Sequence, residues 1–227
     1  YAHPPVGGPQ PQMVYMARPV DPVDVPISPE IKQRHDESRK KYPHLNISEG
    51  EYILDAVKRH WIGLVRIWLT ALAVVSAFMG LFALLFAQNQ GSIDAGVGLS
   101  GNLVTTLGMG LVGLVVVLAT LGAVVATYVY NNNRFYLTNE SVIQEIQTSL
   151  FSRHEQTVSL NNIEDASFEQ NGILPHIFNY GRIRLSTEGD ETTYRFTYVA
   201  GPKKHIARLN NAIEAFKNGR PVDPNDN

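Results

Sequence analysis

The sequence predicts a membrane α-helical hairpin followed by an antiparallel β-barrel or curled sheet that a C-terminal α-helix caps. Three observations carry this. Two apolar runs, Trp61–Ala87 and Leu103–Tyr130, are each long enough to cross a bilayer and lie close together in the chain. After Tyr130 the apolar spacing changes to period two. The last regular stretch, from Pro202 to Phe216, returns to helical spacing with apolar residues on one side only.

Residues 1–45 read as a disordered, proline-rich cytoplasmic arm. Eight of the 13 prolines fall between Tyr1 and Pro29, interleaved with Gly, Gln and Val. Such a composition cannot bury enough apolar surface to offset chain entropy. Late in the arm, Ser28–Lys41 has the marks of a short polar helix. Ser28 would cap it, Pro29 would take the first position, and Arg39, Lys40 and Lys41 would close it with positive charge on a solvated face.

Residues 46–60 are expected to form an interfacial helix. Ser48 and Glu51 have capping-box spacing, and Ile53, Leu54, Val57 and Trp61 recur at helical intervals. That helix would run straight into the first span, residues 61–87. Ile67–Ala87 carries no charge and, at about 1.5 Å rise per residue, covers roughly 31 Å, which matches a hydrocarbon core of about 30 Å. The second span, residues 103–130, is uncharged from Leu107 to Val129.

Charge sets the orientation. Lys58, Arg59 and Arg66 flank the start of the first span and Arg134 follows the second, whereas the connecting loop, 88–102, has no Lys or Arg and a single acid, Asp94. The positive-inside rule then puts the loop outside and both termini in the cytoplasm of a multi-pass cell-membrane protein. Lys58, Arg59, Trp61, Arg66 and Arg134 are the expected interface anchors, with Arg66 snorkelling back. Ala73, Ala77, Gly80, Gly108, Gly122 and Ala126 would let helix backbones approach, either within the hairpin or against a second copy. Neither span holds an acid or His in its interior, which argues against an ion or proton path.

The cytoplasmic domain is assigned to 131–217, with a flexible tail at 218–227. Strands are expected at Arg134–Leu137 and Val142–Thr148, turning at Thr138-Asn139-Glu140, then at Gln156–Leu160, Ile163–Glu169, Arg182–Thr187 and Thr192–Val199. The capping helix has Pro202 at its start, Ile206, Leu209, Ile213 and Phe216 as its stripe, and Gly219 just past its end.

Within this domain, "FYLTNESVIQEI" and "VSLNNIEDASFEQNGILPHIFNYGRIRLSTEG", followed by a closing helix, resemble the bacterial PH domain family, YdbS-like or domain of unknown function 304. The resemblance rests on Leu137, Thr138 and Asn139, on Ile163, on Gln170, Asn171 and Gly172, and on Tyr180 and Gly181. The stretch "EGEYILDAVKRHWIGL" ahead of the spans also looks like this family. The chain departs from its pattern at Asn161, Asn162 and Pro175. The resemblance implies a PH-like fold and no catalytic residue. PH-like domains elsewhere bind phosphoinositides or peptides, and fold likeness alone does not carry those functions over.

Composition excludes several classes. A net charge of −2 gives no field for nucleic acid, and with 0 cysteines there is no disulfide, thiolate metal site or cysteine nucleophile. No H-E-x-x-H, G-x-S-x-G or phosphate loop occurs. The G-x-G-x-x-G matches at Gly96 and Gly108 lack the strand-turn-helix context of a dinucleotide site. The chain is therefore expected to be no enzyme and to need no cofactor or metal.

Two surfaces are candidates for function. The turn Ile173–Tyr180 is unusually apolar, so Leu174, Ile177 and Phe178 either plug one end of the sheet or form an exposed contact with membrane or partner. Leu150 and Phe151 are a second such pair. Arg182 and Arg184 are the candidate contacts for an anionic headgroup. The expected function is a protein-interaction or self-assembly module at the cytoplasmic membrane surface, with the bilayer, a further copy or other membrane proteins as partners. The alternative is a lipid-headgroup-sensing or transport-associated membrane protein.

Overall fold

The computed structural model describes residues 27–89, 101–187 and 193–222. Residues 1–26, most of the inter-span loop, the turn after Thr187 and the last five residues lie outside it, so the disorder expected for most of the arm is outside the described residues.

Helix α1 (Pro29–Lys41) begins as its sequence dictates, with the Ser28 hydroxyl accepting from the Ile31 N–H at 3.3 Å. It is not part of a free arm. His35 and Ser38 are buried, the His35 ring meets the Glu51 carbonyl at 2.6 Å, and the Ser38 hydroxyl accepts from the Ile53 N–H at 3.1 Å. Leu45, Tyr136 and Ile143 form a small core beneath it.

Strand β1 (Ile53–Lys58) replaces the helix expected over 46–60. Glu51 does reach back to the Ser48 N–H at 2.9 Å, as in a capping box. Its other oxygen accepts from the Thr138 and Ser141 hydroxyls, each at 2.6 Å. Those three bonds satisfy a buried carboxylate and tie the turn to the next strands instead of to a helix. Asn139 completes the clamp by accepting from the Tyr52 N–H at 2.8 Å. The chain then pairs with Arg134–Thr138, because a ready sheet edge supplies the backbone partners that a short helix would have to find alone.

Helices α2 (Ile62–Asn89) and α3 (Gly101–Asn131) follow. Ile62–Leu85 and Thr105–Asn131 are long and apolar enough to cross a membrane, and almost nothing in them is buried by the rest of the chain. After α3 come β2 (Arg134–Thr138), β3 (Ser141–Gln147), β4 (Arg153–Ser159), a 3-10 turn at Leu160–Asn162, and β5 (Ile163–Glu169). A short helix α4 (Ile173–Ile177), β6 (Tyr180–Thr187), β7 (Thr193–Ala200) and helix α5 (Pro202–Lys217) complete the order.

The strands form two antiparallel sheets, β1-β2-β3-β4 and β5-β6-β7, which are not closed into a barrel. A bridge between Arg59, just past the end of β1, and Val199 of β7 links the two sheets. The sheets share one core, in which Phe135 of β2 stacks on Phe196 of β7 at 5.7 Å, and α5 adds Ile206, Leu209 and Ala212. Ile183 and Leu185 point inward as the alternation of Arg182–Thr187 predicts, and so does Phe196; Tyr198, expected on one face with Tyr194 and Phe196, is turned out of that face by a bulge. The tail is fixed as far as Val222, whose carbonyl accepts from the Tyr52 hydroxyl at 3.0 Å.

The topology has a consequence for the hairpin. β1 precedes α2, β2 follows α3, and the two strands pair from Ile53↔Thr138 to Lys58↔Arg134. The helical hairpin is thus the connection between two neighbouring strands, and the domain begins before it, not at residue 131.

Candidate functional site

The base of the hairpin is built from aromatic rings contributed by four elements. His60, between β1 and α2, stacks on Tyr180 of β6 at 5.5 Å and lies 5.4 Å from Trp61. Tyr180 stacks on Tyr198 of β7 at 5.8 Å, and Tyr198 meets Tyr130 of α3 edge-on at 6.0 Å. The Tyr130 hydroxyl donates to the His60 carbonyl at 2.6 Å and closes the ring of contacts.

This collar depends on two backbone irregularities. Tyr198 has φ +60, in the left-handed region that a bulky residue rarely adopts, and the β6–β7 register shifts between Gly181 and Arg182. The bulge turns Tyr198 out of the core alternation and towards the helices. Gly181 allows the strand to pass close to its neighbours, since a Cβ there would lie 2.6 Å from the Glu169 carbonyl oxygen.

Two arginines stand beside the collar. The Arg59 guanidinium lies 5.2 Å from the Tyr130 ring centre and 5.5 Å from that of Phe196, and its Nε is buried without a hydrogen-bond partner. Burial pulls the Arg59 pKa below its ordinary value, yet a guanidinium stays charged. Arg66, one turn into α2, donates to the Tyr198 hydroxyl at 3.1 Å. Neither has a carboxylate within ion-pair distance among the described residues. Burial likewise lowers the pKa of His60, so its ring is neutral at pH 7 and its Nδ1 accepts from the Ile62 N–H at 3.2 Å.

Both arginines line a cleft of about 480 Å³ between α2 and α3 that continues upward past Ala71, Val74, Ala119 and Gly122. A second cleft, of about 590 Å³, opens on the other side of Arg59 against Leu150 and Phe151.

Leu174, Ile177 and Phe178 do not plug the sheet. They are 56%, 67% and 38% exposed, and Phe151 is 98% exposed. The reason is local: Gln170 donates to the carbonyl of Pro175, midway along α4, and to that of Tyr180, the first residue of β6, at 3.3 and 3.0 Å, which ties α4 down with its apolar side chains outward. Phe178 packs edge-on against Trp61 at 5.9 Å, so this patch lies beside the start of α2. Leu150 and Phe151 flank α3.

The two headgroup candidates separate. Arg182 pairs with Glu169 at 3.6 Å and shares a cavity with Arg66. Arg184 is half-buried opposite Arg195 and away from that cavity. Of the expected anchors, Trp61 is exposed at the collar. Lys58 is exposed at the end of β1, and Arg134 donates to the Tyr136 hydroxyl at 3.4 Å rather than reaching outward.

Sequence reasoning missed Tyr180, Tyr198 and His60 as a unit. The available signal was rings near the ends of three strands, which does not reveal that they converge. Among the described residues no group of three or more His, Asp or Glu is arranged to hold a metal.

A family profile described as a bacterial PH domain matches residues 53–215, from the first residue of β1 to the last turns of α5. No curated protein matches the sequence. Among solved structures, the chain is similar to a crystal structure of a DUF1696-family protein with a pleckstrin-homology domain from Shewanella loihica PV-4. The two are 16% identical over 37% of this chain and 69% of that one, with a TM-score of 0.29.

Proposed function

The chain belongs to the bacterial PH domain family, and from that premise we propose that it is an integral membrane protein that holds its PH-like domain against the cytoplasmic membrane surface as an interaction or self-assembly module. The observation that carries this reading is the insertion of the hairpin between paired strands β1 and β2. A domain joined to its anchor by two adjacent strands, and braced by the collar, has little freedom to swing. That rigidity suits a surface presented at fixed height to a neighbour in the same membrane.

The orientation follows from charge. Lys58, Arg59, Arg66 and Arg134 all lie at the end of the hairpin that carries the domain, the end that the positive-inside rule assigns to the cytoplasm. The apolar patches on α4 and at Phe151 border the same end. Burying an apolar side chain of that size contributes about 1.5–3 kcal/mol, so dipping Ile177, Phe178 and Phe151 into the headgroup layer would set the domain's tilt. Ala73, Ala77 and Gly80 face outward from α2, which leaves a surface on which another helix can pack closely.

Carbonate washing of membranes carrying the full chain, followed by protease treatment of sealed vesicles and intact cells, tests the reading. The chain should stay with the membrane, and protease outside intact cells should leave residues 131–217 whole. Release by carbonate, or cleavage of that region from outside, would overturn it. Mass measurement in nanodiscs then reports the stoichiometry, with a monomer of no partner counting against self-assembly. The second reading, recognition of lipid headgroups, is favoured by Arg59 and Arg66 beside the collar, neither of which has a carboxylate at ion-pair distance among the described residues.

A further inference from the structure

The cleft between α2 and α3 has the form of a lipid site, and we propose that it binds one anionic phospholipid, with the phosphate held by Arg59 and Arg66 and an acyl chain lying in the groove above them. The proposal rests on the reading that the hairpin crosses a membrane.

Charge is the first argument. Two guanidinium groups face one cleft with no carboxylate paired to either among the described residues, and Arg59 is partly withdrawn from water. A cation held so is costly unless an anion meets it. Tyr198 takes one N–H of Arg66 at 3.1 Å, which leaves the rest of its planar fork for phosphate oxygens. Glu169, which lines the adjoining cavity with Arg66, is engaged by Arg182 at 3.6 Å.

Shape is the second argument. Above the arginines the cleft is walled by small and apolar residues, and a Cβ on Gly122 would meet nothing within 4 Å. The charged end lies level with Trp61 and the groove runs along the apolar helices. Headgroup and chain would therefore each find the matching depth. Free phosphate would satisfy the arginines but not the groove.

The test uses the full chain, delipidated in mild detergent, with native mass spectrometry after addition of phosphatidylglycerol, phosphatidylcholine or inorganic phosphate. One phosphatidylglycerol should remain bound, in preference to phosphatidylcholine by on the order of tenfold, and millimolar phosphate should not displace it. Arg59→Gln/Arg66→Gln should abolish the preference. Gly122→Leu should weaken both lipids by filling the groove while leaving the charges in place. Arg66→Gln alone, with circular dichroism to verify the fold, serves should the double variant not fold.

Equal binding of the two lipids to the native chain, or an unchanged preference in the arginine variants, would overturn the site. Displacement by inorganic phosphate would reduce it to a phosphate site and overturn the lipid assignment. Release of the chain by carbonate would overturn the membrane reading as well, so the two failures are distinguishable.

Discussion

Tyr130 lies across Gly63: its hydroxyl donates to the His60 carbonyl at 2.6 Å, and a Cβ on Gly63 would fall 2.2 Å from that same oxygen. The close approach joins the end of α3 to the start of α2 just where both meet the sheets.

Gly63→Ala should therefore cost about 1–3 kcal/mol, the range for overpacking a tight contact, although alanine is the better helix former. Gly80→Ala, where an added Cβ meets nothing within 4 Å, should be neutral or slightly stabilising. Thermal unfolding of both variants in the same detergent checks the contrast.

Glu51 accepts from Thr138 and Ser141 at 2.6 Å each and from the Ser48 N–H at 2.9 Å. Glu51→Ala removes the carboxylate acceptor from the buried Thr138 and Ser141 hydroxyls and leaves them only each other and the Ser141 carbonyl, so a loss of about 1–3 kcal/mol is expected. Hydrogen exchange should show β1 and the β2–β3 turn opening together in this variant. A variant as protected as the native chain would mean that the clamp contributes nothing.

Asp55 joins β1 to α5 through His205 at 2.5 Å and Arg208 at 3.7 Å. Burial opposes its charge, but the His205 hydrogen bond, then the charges of His205 and Arg208, outweigh burial and hold the carboxyl below its ordinary range. A depressed carboxyl stabilises fully above its unfolded value, about 3.9, and that contribution is lost as pH falls through the lower folded value. Acid unfolding should thus be steeper in the native chain than in Asp55→Asn, and Asp55→Asn should be the weaker of the two at pH 7.

The sequence has 0 cysteines, so single cysteines can be spin-labelled cleanly. Labels at Ile177→Cys and Phe151→Cys should be shielded from a water-soluble relaxation agent in vesicles and open to a lipid-soluble one. A label at Glu155→Cys on β4 should show the reverse. Equal access at all three sites would remove the α4 patch and Phe151 from the membrane.

The strands after Arg134 were legible because each has one buried face and turn residues at its ends. Alternation set Ile183, Leu185 and Phe196 inward without any knowledge of their partners. The apolar stripe of α5 and the length of the two hydrophobic helices were readable for the same reason, that local pattern and burial coincide. β1 was not legible. Ile53, Leu54 and Val57 fit a helix in spacing, and Ser48 with Glu51 fits a cap, so the local signals agreed on the wrong element. The partners of Ile53 and Val57, which are Thr138 and Phe135, lie beyond the whole hairpin, and no local pattern reports a pairing across that distance.

The same division holds at the hairpin base. Sequence marked Arg59, Trp61 and Arg66 as residues of a boundary and Leu174, Ile177 and Phe178 as an apolar turn with two destinations. By itself it determined two hydrophobic helices, a β-rich domain with a closing helix, and the family, since these depend on periodicity and on short motifs. Only the tertiary structure decided that the hairpin splits the domain, that the apolar turn faces outward, and that Tyr130, Tyr180 and Tyr198 meet around two arginines with no counter-charge among the described residues. Those facts depend on contacts between residues far apart in the chain, where packing and hydrogen-bond satisfaction, not local preference, set the outcome.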